Sequence, residues 1–478
     1  MSRSRSSRNE EVVHNISGTV FRCEASYGSL KAIGRGSYGV VCSAVDQRVN
    51  RKVAIKKITP MAQDIVDAKH VLREIRLMRY LGVHPNIITL EDLWIKDQHD
   101  ELYIVMELLD SDLHRIIQSS QPLSDAHFRF FMWQLLRGVK FMHDNKIIHR
   151  DLKPGNLLVT RNCELRITDF GLARMKPEST DPMNEEEEEP MTEHVVTRWY
   201  RPPELMLCPD GMYGYDVDVW SSGCIFAEML GRKPLFPGKN FVHQLTLIFD
   251  VIGAAQPEEV EHIRNSQARK FLDSVADRSR ADFRELFPKA SDLAIDLLER
   301  FLVFHPPERM TVDECLEHPY FDPLRSSEAA PDPVIQEGFE FDFEQDEEMS
   351  RLHLKRLIME EVDGFRSETR ERQRALSAQS RGSASRGTRT PPPAPDSARG
   401  EGQYDDRRSK YTEQEATVSR AAPNQGGFYD QAGGQYDMAG AMSRVTMEEN
   451  QQGDYEEPYS AEMEDRKPSG RELLKGER

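Results

Sequence analysis

The chain has 478 residues, of which 38% are hydrophobic and 30% charged, and a formal net charge of -18. Its length supports two or more units, and its acidity excludes a nucleic-acid role driven by general electrostatics. Six scattered cysteines without a C-x-x-C pair read as buried reduced thiols, the opening MSRSRSSRNEE holds no apolar run, and no apolar segment approaches the ~20 residues that span a bilayer. The expectation is a cytoplasmic or nuclear chain with no membrane and no nucleic-acid partner.

Taken in chain order, residues 1–20 are expected to be flexible. Residues 27–108 alternate short β-branched runs (GVVCSAVD, KVAIKKI, LYIVMEL) with one helical stretch near 64–80. Residues 112–320 carry helical patterns such as AHFRFFMWQLLRGVKFMHD and DVWSSGCIFAEML. The fold class is therefore α+β and bilobal, with a small β-rich lobe to about residue 108 and a larger α-helical lobe to 321. Composition shifts near Arg366, after which SAQSRGSASRGTRTPPPAP leads into irregular Gln, Gly, Tyr, Asp and Glu. Apolar residues are too sparse there to offset ordering entropy, so 366–478 is expected to be a disordered tail. Most of the negative charge lies before it, in the folded region and its loops.

Three segments carry chemistry. Ile33 to Val41 reads IGRGSYGVV, with Gly34, Gly36 and Gly39 as G-x-G-x-x-G. A dinucleotide fingerprint needs a helix next, but VVCSAVD continues as a strand. Strand, glycine turn and strand make a flap whose backbone amides can cover phosphates. Next, Val53-Ala54-Ile55-Lys56 ends an apolar run in a lysine, and HVLREIRLMRYL offers Glu74 on a helix face that could point toward it. Last, His149-Arg150-Asp151-Leu152-Lys153-Pro154-Gly155-Asn156 precedes Asp169-Phe170-Gly171 by one short hairpin. Phosphoryl transfer needs positioning and charge neutralisation more than covalent help. Asp151 suits orientation and deprotonation of a hydroxyl, and Lys153 suits the moving phosphoryl group. Asn156 and Asp169 are hard oxygen ligands of the kind Mg²⁺ takes.

Together these motifs resemble the eukaryotic protein kinases, and more narrowly the mitogen-activated protein kinases. The narrower resemblance is carried by DFGLAR, TEHVVTRWYRPPE, DVDVWSSGCIFAEML followed by GRKPLFPG, HPYFDPL, and FEFDFEQDEEMSRLHLKRLIMEEV at 339–362. It covers about residues 20–365. The resemblance implies a kinase fold over 27–321, with an extension over 322–365 packed on the small lobe. It implies ATP and Mg²⁺ as cofactors, with Ile33, Gly34, Arg35, Gly36, Ser37, Tyr38, Gly39, Val40 and Val41 as nucleotide cover. It further implies Lys56 on the α/β-phosphates paired with Glu74, and Ala54, Met106, Glu107, Leu109 and Leu158 around adenine. Asp218 resembles the aspartate that braces the catalytic loop, and Arg309 the arginine that pairs with Glu204. Thr197, Arg198, Tyr200 and Arg201 resemble the element that accepts proline after the acceptor residue.

Three positions depart from the family's pattern. Gly155 stands where relatives commonly have serine, and Pro202 where they have alanine. His194 replaces the tyrosine of a Thr-x-Tyr activation pair, leaving Thr192 as the single acceptor. Arg73, Arg150 and Arg174 match a complete receiver for a phosphate on Thr192. Thr192 phosphorylation alone, the Glu185–Glu189 run acting as a built-in anion, or no phosphate on this lip all remain open at this point. Expected partners are protein substrates with Ser-Pro or Thr-Pro sites, an upstream activating kinase, phosphatases, and basic docking motifs drawn to Glu328 and Asp332, on a monomeric enzyme. Thr390-Pro391 fits the same substrate class. The competing readings are a pseudokinase scaffold and a cyclin-dependent-kinase-like enzyme. Intact Lys56, Asp151, Asn156 and Asp169 oppose the first; the insertion near 240–287 and the 339–362 segment oppose the second.

Overall fold

The computed structural model describes residues 11–36, 39–175, 198–207, 214–261, 263–325, 335, 343 and 349–384, with backbone alone at 36, 373, 376–384, 428–429 and 435–436. Two strands, β1 (Glu11–Ile16) and β2 (Thr19–Glu24), form an antiparallel hairpin turned by Ser17 and Gly18, both at positive φ. That combination is the two-residue turn whose twist suits a hairpin. The expectation of a flexible start is thus corrected over residues 11–20. Locally the segment has little to recommend it as a strand pair. Its stability comes from afar: Phe21 and Cys23 are fully buried against Tyr27, Trp94 and Tyr103 on the outer face of the main sheet.

The main sheet joins β3 (Tyr27–Gly36), β4 (Gly39–Asp46), β5 (Arg51–Ile58), β6 (Leu90–Lys96) and β7 (Glu101–Glu107) in the order β3-β4-β5-β7-β6, all antiparallel. Between β5 and β6 runs α1 (Ile65–Leu81), N-capped by Asp64, whose side chain accepts from the Asp67 amide at 2.8 Å. Such a cap satisfies one of the unpaired amides at a helix start.

The larger lobe begins with β8 (Ser111–Asp112), α2 (Leu113–Gln118) and α3 (Asp125–Asp144). Short strands β9 (Ile147–Ile148), β10 (Leu157–Val159), β11 (Leu165–Ile167) and β12 (Arg174–Met175) frame the loop that carries Asp151 and the turn that carries Asp169. Then come α4 (Glu204–Leu207), α5 (Asp216–Gly231), α6 (Phe241–Ile252), α7 (Ser266–Ser274), α8 (Phe283–Leu286), α9 (Asp292–Phe301), α10 (Val312–Glu317) and α11 (Asp322–Arg325). Helix α5 is buried on nearly every side, with Trp220, Phe226 and Ala227 at 0% exposure. A helix apolar all round belongs in the middle of a core. Gly223 lets it approach α9, because a Cβ there would stand 2.5 Å from the Phe301 Cβ.

The last described helix, α12 (Arg351–Ala384), lies along α1 and β6. Leu354, Ile358 and Val362, spaced four apart, face the small lobe at 3% exposure or less. The boundary expected at Arg366 is therefore moved along the chain: residues 366–384 continue the helix. Sparse apolar residues do not forbid a helix whose first turns are already anchored, since propagation costs far less than nucleation. The rest of the tail, Thr390 included, lies outside the described residues.

Among the described residues no helix is long and apolar enough to cross a membrane. Cys23, Cys42, Cys163, Cys224 and Cys315 are buried free thiols, as expected, and burial pushes Cys23, Cys42 and Cys163 up to about 12.

Candidate active site

The glycine segment is a flap between β3 and β4, closed by the pair Gly36 and Gly39. Gly39 is required by packing, because a Cβ would stand 1.7 Å from the Lys57 carbonyl oxygen. A Cβ on Gly34 would meet nothing within 4 Å, so this glycine leaves open space beneath or beside the flap rather than filling a contact. Ile33 and Arg35 are exposed, while Val40 and Val41 are half-buried. Ser37 and Tyr38 lie outside the described residues.

Strand β5 sets the next row. Lys56 pairs in register with Val41 on β4 and Ile104 on β7, and Ala54 with Met106. Alternation along a strand puts Ala54 and Lys56 on one face and Lys57 on the other. Lys56 reaches α1, where Nζ donates to Glu74 Oε1 and Oε2 at 2.7 and 2.9 Å. Burial raises the Glu74 pKa and the Lys56 ammonium opposes that rise. A buried carboxylate in this position depends on its lysine. Lys57, on the opposite face, belongs to a cluster that the sequence did not disclose. Its ammonium donates to Glu101 Oε1 at 2.7 Å and to the Val20 carbonyl at 2.5 Å, while Arg22 also donates to Glu101 at 2.7 Å. One strand thus directs one lysine to the cleft and its neighbour to the hairpin.

At the edge of the cleft, the Glu107 carboxylate accepts from the Thr89 amide at 3.1 Å and pairs with Arg166 at 3.3 Å. Leu109 and Leu158 are half-buried against the main core, and Met106 is 7% exposed.

The loop from His149 to Asn156 is shaped from below by Asp218. This residue is fully buried at the start of α5 and accepts from the backbone amides of His149 and Arg150 at 2.8 and 2.9 Å. Its carboxylate also contacts His143 Nε2 at 2.9 Å. Burial by itself would raise Asp218, but the hydrogen bond and charge of His143, with help from His149, hold it below the ordinary carboxylate value. The two amide bonds restrain Arg150 at φ 67°, a region costly for a side-chain-bearing residue. Above this base Lys153 Nζ donates to Asp151 Oδ2 at 2.8 Å, and Asn156 Nδ2 donates to Asp151 O and Oδ2 at 2.9 and 3.1 Å. A Cβ on Gly155 would meet nothing within 4 Å, so the departure to glycine removes no packing that a serine would need.

Asp169 has φ 69°, and the segment is knitted to its neighbours on both sides. The Thr168 amide donates to the Asn156 carbonyl at 3.0 Å, Phe170 packs edge-on against His149 at 5.6 Å, and Arg73 from α1 donates to the Gly171 carbonyl. His70 lies beside this turn. Burial first, then Arg73 and Arg174, lower His70 to about 4. Two of the three expected phosphate receivers thus bear on one place next to Asp169. Arg150 stands in the loop that carries Asp151. Thr192, His194 and Thr197 lie outside the described residues, as do Glu185–Glu189, Glu328 and Asp332.

Beyond the lip, Arg198–Tyr200 forms a single 3₁₀ turn. Tyr200 is held by α5: its hydroxyl donates to Glu228 Oε2 at 2.6 Å, and Ser221 Oγ donates to its carbonyl at 2.9 Å. Trp199 Nε1 donates to the Gly238 carbonyl at 3.1 Å, and Arg198 to the Lys239 carbonyl at 3.3 Å. The Arg201 amide closes the turn on the Arg198 carbonyl at 3.2 Å. Glu204, next to Pro202 and Pro203, pairs with Arg309 at 2.8 and 3.2 Å. Glu228 was missed from the sequence, although a carboxylate inside the apolar run SSGCIFAEML was a usable flag, since buried charges normally have a partner.

Residues 27–321 match the protein kinase domain family. The chain is 49% identical over 309 residues to mitogen-activated protein kinase homolog NTF3 of Nicotiana tabacum, covering 64% of this chain and 80% of that one. It is 46% identical over 347 residues to mitogen-activated protein kinase 14 of Arabidopsis thaliana, covering 72% and 92%. It is 44% identical over 363 residues to extracellular signal-regulated kinase 1 of Dictyostelium discoideum, covering 75% and 66%. With the lysine–glutamate pair and the Asp151 loop in place, these matches make the chain a serine/threonine protein kinase of the mitogen-activated protein kinase family.

Proposed function

We propose that this kinase moves the γ-phosphoryl group of ATP to serine or threonine followed by proline, and that phosphorylation of Thr192 switches it on. The observation that carries the chemistry is Asp151 Oδ2 held at once by Lys153 and Asn156. With that oxygen engaged, Oδ1 is left to accept the proton of the acceptor hydroxyl. The hydroxyl oxygen forms the new bond to phosphorus, the bond from phosphorus to the β-phosphate oxygen breaks, and ADP leaves. Lys153 stands beside Asp151 to neutralise charge on the group in transit, and Lys56, fixed by Glu74, holds the α/β-phosphates.

The donor set suits Mg²⁺. Asn156 commits its amide nitrogen to Asp151 and keeps the amide oxygen as a hard ligand, and the Asp169 carboxylate supplies a second. When bound there, Mg²⁺ neutralises phosphate oxygens. The open space at Gly34 is consistent with a flap meant to approach a ligand by its backbone.

Proline selectivity is supported by the Arg198–Tyr200 turn, which α5 and the 238–239 segment hold from two sides. Activation through Thr192 is supported by two expected receivers flanking the turn that carries Asp169, Arg73 on the Gly171 carbonyl and Arg174 at the start of β12. Because Arg73 also binds the Gly171 carbonyl, a phosphate there would bear directly on the turn carrying Asp169. On this reading His194 leaves one acceptor for an upstream kinase, and for the phosphatase that opposes it. Basic docking motifs on those partners, a monomeric state and a cytoplasmic or nuclear location complete the proposal.

The deciding assay uses radiolabelled ATP and a peptide pair, one with Ser-Pro and one with Ser-Ala. Labelling of both peptides equally would remove the proline-directed reading. No labelling of either, after treatment with an activating kinase, would remove the transfer reading as well.

A further inference from the structure

Helix α12 runs on as an arm after Phe365, its last residue packed against the core. The final ties of this helix to the lobe, among the described residues, are Arg366 with Glu24 of β2 and Glu368 with Arg79. Beyond them Arg370, Arg372 and Arg374 are exposed and make no ion pair with any described residue. Neither does Glu371, the one carboxylate between residues 369 and 384. At 100° per residue, Arg366, Arg370 and Arg374 step round the axis by about 40° each and make one row, with Arg372 nearly opposite. The first member of that row already holds a carboxylate, Glu24. The next two are like charges four apart, which weakens a helix. An anion laid along the row relieves that repulsion.

The sequence keeps the complementary charge in a separate block. Residues 366–389 contain seven arginines and two carboxylates. Residues 448–465 read EENQQGDYEEPYSAEMED, with eight carboxylates and no basic residue. We propose that the row of Arg370 and Arg374 is a docking surface for an acidic peptide in extended form, and that its occupant is residues 448–465 of the same chain. The spacing suits this pairing. Arginines four apart on a helix stand about 6 Å apart along its axis. Alternate residues of an extended peptide stand about 6.7 Å apart and share a side. Asp454 with Glu456, and Glu462 with Glu464, are two such pairs. Reach is no obstacle, since a chain can extend by about 3.3 Å per residue and the arm past Phe365 is only about 28 Å long. Exposed ion pairs are weak one by one. Linkage within one chain raises the local concentration of the occupant to roughly millimolar, which lets several weak pairs act together.

The test compares three full-length chains. One is native, one has the eight carboxylates of 448–465 replaced by Gln or Asn, and the third adds Arg370→Gln and Arg374→Gln to the second. A fluorescein-labelled peptide of residues 448–465 is titrated onto each by anisotropy. Hydrogen exchange of the 366–384 amides is followed at two protein concentrations. The expected result is peptide binding about 10-fold tighter on the tail-neutralised chain than on the native one, whose own segment competes. The added arginine changes should abolish it. Exchange over 366–384 should be slower in the native chain than in the other two, equally at both concentrations. Arg372→Gln in the tail-neutralised chain should leave peptide affinity within about twofold. Because Arg370 and Arg374 are exposed, Tm and turnover of a Ser-Pro peptide should not change. Equal peptide affinity for the native and tail-neutralised chains would overturn the occupant, and no binding to either would overturn the surface. Protection that grows with protein concentration would assign the segment to a second copy, against the proposal. A loss from Arg372→Gln as large as that from the row would mean attraction by net charge alone and would overturn it as well.

Discussion

The Tyr200 hydroxyl donates to Glu228 Oε2 at 2.6 Å within the protein interior, where the glutamate is 1% exposed. Burial pushes that carboxyl from 4.5 up to about 7, and the bond from Tyr200 only partly opposes the rise. The folded state therefore holds this proton more tightly than the unfolded chain does. Its stabilising contribution is full below the unfolded value of 4.5 and is lost as pH rises through about 7. Glu228→Gln keeps an acceptor for Tyr200 and removes the titration. Melting curves should show the variant gaining on the native protein between these pH values, then a constant difference above. A difference that is flat across this window would contradict the assignment.

On the proposed roles, Lys56→Met and Asp169→Ala should each lower turnover by about 100-fold or more, because the first removes the cation on the α/β-phosphates and the second a metal ligand. The two differ in stability. Lys56→Met also leaves Glu74 buried without its cation, so its Tm should fall further than that of Asp169→Ala. Retained turnover in both variants would refute the chemical roles given to these residues.

Thr192→Ala should stay at basal activity after treatment with an activating kinase, whereas the native chain rises. His194→Ala should respond as the native chain does, since no phosphate is assigned there. Phosphosite mapping of the activated protein reads the same point directly; full activation without phosphate at Thr192 would reject the switch.

The cluster around Lys57 predicts an asymmetry. Glu101→Ala leaves Lys57 and Arg22 without their shared carboxylate, and denaturant unfolding should show a loss of about 3–5 kcal/mol. Replacing Lys57 with Met and Glu101 with Leu together should cost less than the single change, because no buried charge is then stranded. Equal losses would mean that the carboxylate contributes only packing.

Gly155→Ser should be close to neutral. With no atom within 4 Å of a Cβ there, stability is expected to change by less than about 0.5 kcal/mol and turnover to be unaffected. A substantial loss in either would show that the glycine matters through its backbone.

Much of this was legible from residues alone. GVVCSAVD is β4, the stretch near 64–80 is α1, and DVWSSGCIFAEML lies inside α5, since each writes its period or its apolar character in consecutive residues. The pairing of Lys56 with Glu74 was foreseen for the same reason: one ends a strand, the other lies on a helix face. Residues 11–20 and 366–384 depart from expectation because each continues a segment whose anchors lie far away in sequence. Phe21 needs Trp94 and Tyr103, and Arg366 needs Glu24. No local window contains both members of such a pair.

The sequence by itself determined which groups are the candidates for chemistry: the order of the glycine flap, Lys56, Asp151, Asn156 and Asp169, and the histidine at 194. These depend on residue type and short spacing, which a chain carries in one dimension. Only the tertiary structure decided that Lys57 turns away to Glu101 and the hairpin, that Glu228 stands under Tyr200, and that a helix from the tail packs on α1 away from Glu74. Those relations are set by strand alternation, helix rotation and burial between segments up to hundreds of residues apart, and they exist only once the chain has closed on itself.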